Sequence, residues 1–249
     1  MVKSDKQNEE ENKLVFSYLE QRILIGVCGM LLPIILLLSS FQEEGWGSVQ
    51  KSISNYYYTN RGDVLVGILC ILSVFLFTYR GYDWKDNLLT KIAATCGLGI
   101  AFYPTVIKPP YSGFNIHVTN VHITPFPIFG ELHLFFAFVF FTALSVISIW
   151  LFPQTHQGQK IIKGTQKAKK NLVYKICGWL MLACIVVLTL FIKWPAFHDL
   201  FGTFPLTFWL ETIALEAFGI SWITKGEALF PTSKHNFKKV AKRFLLGNK

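Results

Sequence analysis

The chain has 249 residues, of which 52% are hydrophobic and 16% charged, and it carries 23 Phe and 7 Trp with a formal net charge of +9. That balance is far too apolar for a soluble basic domain, so it excludes reading the positive charge as a nucleic-acid footprint. A membrane class is indicated instead, because six apolar stretches are each long enough, or nearly so, to cross a bilayer.

Residues 1–22 read as a cytoplasmic tail. Glu9, Glu10 and Glu11 stand where the basic n-region of a signal peptide belongs, and the following apolar run lacks an A-x-A-like end. The first span is predicted over Ile23–Phe41, with Pro33 expected to kink or thin it. The loop after it holds Ser52-Ile-Ser-Asn-Tyr-Tyr-Tyr-Thr59, then Arg61 and Asp63. Three successive tyrosines suit a membrane interface, rings toward lipid and hydroxyls toward headgroups. The functional reading is a loop folded back over the mouth of the bundle, with Ser52, Ser54, Asn55, Tyr57 and Arg61 as ligand-binding candidates for a polar or anionic group. A serine nucleophile there would need a base and an oxyanion hole.

The remaining spans are predicted over Asp63–Arg80, Leu88–Ile107, Leu132–Phe152, Leu172–Ile192 and Pro205–Thr224, forming one membrane domain over 23–224. Asp63, Asp86 or Asn87, Glu131 and Asn171 sit where helices begin and can satisfy free N–H groups. Gly97 and Gly99 leave room for a neighbouring backbone to approach the third span. The five cysteines, all within spans and without a C-x-x-C pair, read as small packing residues. Trp46, Trp194 and Trp209 fall near the outer span ends and Trp84, Trp150 and Trp222 near the inner ends, as in an interfacial belt. At the inner face, Arg80 and Lys225 read as snorkelling cations.

Of the 24 basic residues, all but Lys51, Arg61, Lys108 and Lys193 fall on one side if both termini are cytoplasmic. The positive-inside rule is then met in every loop. The expected fold is therefore all-α: a polytopic membrane helical bundle of about six transmembrane helices, multi-pass, with both termini in the cytoplasm.

Ionisable residues at membrane depth are functional candidates because placing charge in hydrocarbon is costly. Glu211 and Glu216 both lie in the last span, and five residues separate them by about 140° around a helix, so they do not share one face. His117, His122, His133 and His198 all fall on the outer side, at a depth similar to Glu131, Asp199 and Glu211. Glu131, His133, His117, His122, His198 and Glu211 are thus the candidate metal ligands, and zinc is the metal such a set would suit. Their spacing matches no H-E-x-x-H signature, and no cofactor is predicted. Residues 225–249 form a second cytoplasmic tail, in which Phe237, Val240, Ala241, Phe244 and Leu245 recur at helical spacing opposite Lys238, Lys239, Lys242 and Arg243. That basic amphipathic pattern predicts a helix lying on the anionic membrane surface.

Four segments together, Ser52-Ile-Ser-Asn-Tyr-Tyr-Tyr-Thr59, the Val66-Gly-Ile-Leu-Cys70 run leading to Tyr79-Arg-Gly-Tyr-Asp83, Phe102-Tyr-Pro-Thr105, and Phe218-Gly-Ile-Ser-Trp222 with Lys225-Gly-Glu227, resemble a group of bacterial multi-pass membrane proteins of unknown function. The resemblance covers most of residues 46–227 and implies a membrane fold in the cytoplasmic (inner) membrane of a bacterium, without an activity. A more distant similarity is to the superfamily of seven-helix membrane hydrolases that contains alkaline ceramidases and adiponectin-receptor-like proteins. Those use serine, aspartate and three histidines around zinc. This chain has six apparent spans and no paired histidines on a late helix, so their zinc ligands are not carried over.

The leading expectation is a non-enzymatic membrane protein that binds or moves a lipid-like or small polar ligand, using Glu216 with Tyr57, Arg61, His133 and Glu211. An intramembrane metal-dependent hydrolase open to the outer face, and a structural or assembly subunit of a membrane complex, are the alternatives. Membrane lipids are the expected partners, nucleic acid is not, and nothing in the sequence specifies an oligomeric state.

Overall fold

Backbone removed from water must satisfy its N–H and C=O groups within the segment, so long apolar runs become helices. The computed structural model describes residues 5–44, 49–81, 83–105, 128–154, 165–201 and 204–230, and side chains among them from residue 18 onward apart from 41–44. Helix α1 runs over Asp5–Glu44, α2 over Gly62–Thr78, α3 over Trp84–Phe102, α4 over Ile128–Val146, α5 over Gln166–Lys193, α6 over Pro195–Phe201 and α7 over Leu206–Lys225. A 3-10 turn, Ser54–Tyr58, precedes α2, and a π-helical turn, Ile147–Leu151, closes α4. No strand occurs among the described residues, so the chain is all-α.

Four segments are long and apolar enough to cross a membrane: Tyr18–Ser40, Ile128–Leu151, Gln166–Lys193 and Leu206–Lys225. Helix α2 is apolar but shorter. Several boundaries depart from the predicted spans for local reasons. Helix α1 begins well before Ile23 because the Glu-, Lys-, Gln- and Leu-rich segment ahead of it is built of strong helix formers. It also continues through Pro33 as one helix. Helix α3 stops at Phe102, short of Ile107, since Pro104 disfavours helical geometry at the residue before it. Helix α5 starts at Gln166, not at the predicted cap Asn171, because Thr165 Oγ1 accepts the Ala168 N–H at 3.3 Å. The short α6, opened by Pro195, was not anticipated.

Helix α1 packs on α2 and α7, α2 on α3, α3 on α4, α4 on α5 and α5 on α7, so six helices close a ring. Successive members of the ring run in opposite directions. One end, here the cap end, carries the 3-10 turn and the end of α3. The other, the base, carries the α2–α3 connection and the residues after α7. At the base, Gln21 Nε2 donates to Thr78 Oγ1 at 3.0 Å, and Lys170 meets Glu227 at 3.1 Å. At the cap end, the Phe208 N–H donates to the Lys51 carbonyl at 2.9 Å.

Outward-facing apolar side chains surround the ring. Val74 and Phe77 on α2, Phe135 and Phe138 on α4, and Ile176, Trp179 and Val186 on α5 each leave more than half of their surface uncovered. A soluble monomer rarely tolerates so continuous an apolar exterior, whereas lipid solvates it at no cost. Inside, small hydroxyls pair across helices, as where Ser148 Oγ donates to Ser221 Oγ at 3.0 Å between the π turn and α7.

Of the tryptophans expected in an interfacial belt, Trp84, Trp150 and Trp194 are exposed, as such a belt requires, Trp209 is half-buried, Trp222 is not exposed, and Trp46 lies outside the described residues. Trp222 is fully buried at the base, with Tyr79 at 5.0 Å, Phe152 at 5.2 Å and Phe218 at 5.9 Å between ring centroids. Lys225 likewise does not snorkel outward. Its Nζ donates to the Phe152 carbonyl at 3.1 Å and lies 5.1 Å from the Phe152 ring centroid, so the end of α7 is latched to the end of α4.

Candidate functional site

The site is organised by the segment between α1 and α2. Two of its three tyrosines do not lie in a lipid interface: Tyr56 and Tyr58 are buried, Tyr57 is half-buried, and the 3-10 turn is a plug set into the cap end of the ring. Each neighbour holds it by a named bond. Tyr56 Oη shares a 2.6 Å hydrogen bond with Ser40 Oγ on α1, and Tyr58 Oη donates to the Thr105 carbonyl beyond α3. The Ile53 N–H, at the start of the turn, donates to Glu211 Oε2 on α7 at 2.6 Å. Ser54 Oγ lies 2.8 Å from His133 Nε2 on α4. Burial pushes the Tyr56 phenol above its ordinary range, and the Ser40 hydroxyl partly offsets this.

Why His133 faces inward follows from how α3 ends. A helix terminus leaves carbonyls without intrahelical partners. With Tyr103 in an extended conformation ahead of Pro104, its carbonyl accepts a hydrogen bond from His133 Nδ1 at 2.7 Å. A carbonyl only accepts, so the proton of the neutral ring sits on Nδ1. Nε2 is then left as an acceptor, and Ser54 O–H is its donor. His133 is therefore a bridge between α3 and the plug, and it is almost completely buried.

Beneath the plug lies a cavity walled by α1, α2, α3, α4 and α7. Its lining is apolar, from Leu32, Leu65, Leu69, Ala137, Phe140 and Leu215 among others, except for Ser54, Tyr57, His133 and Glu211. The cavity volume is about 40 Å³. A water needs roughly 10–15 Å³ of such space, so there is room for about three waters or one small group. An apolar wall with a few convergent polar groups is the usual composition of a ligand site.

The other candidates are placed apart from this cavity. Ser52 Oγ accepts the Asn55 N–H at 3.1 Å, so this serine shapes the start of the turn. The Arg61 N–H donates to Thr59 Oγ1 at 3.1 Å just ahead of α2. Glu131 is exposed in the first turn of α4. His198 and Asp199 face each other at 3.5 Å on the exposed side of α6, where the His198 ring lies 4.8 Å from that of Phe191. Glu216 shares a partly exposed stripe of α7 with Ile213 and Ile220, as its angular separation from Glu211 requires. His117, His122 and the tail residues Phe237, Lys238, Lys239, Lys242, Arg243 and Phe244 lie outside the described residues. Among the described residues, no group of three His, Cys, Asp or Glu side chains is close enough to hold a metal ion.

Two contributors lie outside the candidate residues that the sequence offers. Ser40 is an ordinary serine in an apolar run, with nothing to mark it as the partner of Tyr56. Tyr103 was legible in principle, because the proline after it ends α3 and frees a carbonyl. Comparison of the chain with protein-family models, with curated proteins and with solved structures finds no match. The fold by itself supports an all-α chain with four helices long and apolar enough to cross a membrane and a largely apolar cavity under the plug at one end of the helical ring.

Proposed function

We propose that this chain is a multi-pass integral membrane protein of the bacterial inner membrane that binds a lipid-like or small polar ligand in the cap-end cavity, with Ser54, Tyr57, His133 and Glu211 contacting its polar end. The observation carrying this reading is the convergence of those four residues, from the plug, α4 and α7, on one otherwise apolar space. Helices α2 and α3 sit in the ring between two helices long enough to span, which supports counting six transmembrane segments. The distribution of lysine and arginine supports both termini in the cytoplasm and the cap end on the outer side.

With a volume of about 40 Å³, the cavity holds a small polar group or one end of a chain, so a longer ligand extends beyond it. The test is equilibrium binding of a radiolabelled monoacyl phospholipid to the detergent-solubilised full chain and to Ala137→Leu, which places three more carbons in the cavity. Saturable binding weakened at least 10-fold by Ala137→Leu is the expected result. Binding of equal strength to both proteins, or none to either, contradicts the reading.

A further inference from the structure

The same cavity holds a hydroxyl and an imidazole already in hydrogen-bonded contact, with a second bond fixing the ring. We propose that Ser54 is a nucleophile, His133 its general base, and the cavity a site that hydrolyses an ester of an apolar acyl chain. The proposal rests on the ligand reading above and names what happens to the ligand.

Three features of the geometry support it. Ser54 Oγ is 2.8 Å from His133 Nε2, within reach for direct proton transfer, and Nε2 is the unprotonated nitrogen because Nδ1 donates to the Tyr103 carbonyl at 2.7 Å. The Tyr103 carbonyl takes the orienting place that a carboxylate holds in a serine triad: it fixes tautomer and ring plane. Being neutral, it stabilises an imidazolium less than a carboxylate does, which favours substrates with good leaving groups and therefore esters over amides. The rest of the cavity lining is mostly apolar, Leu65, Leu69 and Phe140 among it, and suits an acyl chain rather than a peptide. Tyr57 is the other hydroxyl of the lining, and to it the proposal assigns the donor that steadies the oxyanion.

In the first step Ser54 Oγ bonds to the ester carbonyl carbon while its proton passes to His133 Nε2. The carbon–oxygen bond to the alcohol then breaks, and the departing oxygen takes that proton. A water enters, gives one proton to His133 and bonds to the acyl carbon. The Ser54 ester bond breaks, the proton returns to Ser54 Oγ, and a free carboxylic acid leaves. Space for about three waters beside the pair accommodates this second step. Water is the only co-reactant, and no metal is required.

The experiment treats the full chain in detergent with a decyl fluorophosphonate, which forms an oxygen–phosphorus bond to an activated serine and releases fluoride, and maps the adduct by peptide mass spectrometry. One adduct, on Ser54, is expected, with His133→Gln slowing its formation about 100-fold or more. Because the wild-type chain carries the decisive readout, a variant that fails to fold does not obscure it. Folded protein without an adduct on Ser54, or with labelling equally fast in folded His133→Gln, overturns the proposal. If monoacyl lipid still binds in the Ala137-dependent manner while Ser54 stays unlabelled, only the catalytic inference falls. If neither occurs, the ligand reading falls with it.

Discussion

Replacing Gly219 with valine is expected to lower the melting temperature of the detergent-solubilised protein more than any other single substitution considered. Helices α1 and α7 cross with their backbones in contact at Gly26 and Gly219. A Cβ on Gly219 would lie 2.7 Å from the Gly26 carbonyl oxygen and 2.2 Å from Met30 Cγ, and one on Gly26 would lie 2.7 Å from the Gly219 carbonyl oxygen. Met30 can shift, but a carbonyl inside a helix cannot, so the helices themselves must separate. Overpacking of a core commonly costs about 1–3 kcal/mol, and a clash with backbone belongs at or above the top of that range. Within a membrane this packing is a main source of helix association, because lipid is as apolar as leucine. The measurement is thermal unfolding followed by circular dichroism. Gly67→Val is the matched control, since nothing lies within 4 Å of a Cβ built there. A drop for Gly219→Val no larger than that of Gly67→Val would show that the crossing is looser than described.

The second large effect is expected at His133. Truncation to alanine removes a nearly buried ring from between α3 and α4 and deprives both the Tyr103 carbonyl and the Ser54 hydroxyl of their partner. A large-to-small change in a core costs about 2–5 kcal/mol. Stranding a polar group adds about 1–3 kcal/mol where water cannot reach it. His133→Ala should therefore destabilise the protein by about 3 kcal/mol or more and loosen the plug. His133→Gln, which keeps a donor and an acceptor, should recover part of the loss. Proteolysis near residues 54–58 gives a second readout, since a loosened plug exposes that segment. Unchanged stability in His133→Ala would mean that the ring is not the bridge its geometry indicates.

Helix content and approximate helix positions could be read from the sequence because both follow from apolar run length, which acts locally. The ends of α3 and α5 were less legible. Pro104 and Thr165 decide them, and each lies outside the apolar periodicity that located the spans. The cavity was legible as a set of names without an arrangement. Ser54, Tyr57, His133 and Glu211 were each singled out for residue type and depth, but their meeting depends on the order of helices in the ring, which no local pattern carries. The tyrosine run shows the difference most clearly. Three adjacent aromatic residues with hydroxyls fit a lipid interface and a buried plug equally well by composition. The choice was made by Ser40 on α1 and the carbonyl of Thr105 beyond α3, both distant in sequence. Trp222 and Lys225 illustrate the converse, because their positions near a span end suggested the membrane surface while Tyr79 and Phe152 in fact pack on Trp222, and Phe152 and Tyr174 on Lys225.

Photo-crosslinking tests whether the cap-end cavity receives a lipid-like ligand. The protein is purified in detergent, incubated with a monoacyl phospholipid carrying a diazirine in its chain, irradiated, and the adducts are mapped by mass spectrometry. Saturable adducts on Leu65, Leu69, Ala137 or Phe140, competed by unlabelled lipid, are the predicted result, because these residues line the cavity. Adducts confined to outward-facing Phe135, Phe138 and Val186, rising without saturation as probe is added, would contradict it and reduce the molecule's contact with lipid to solvation of its exterior.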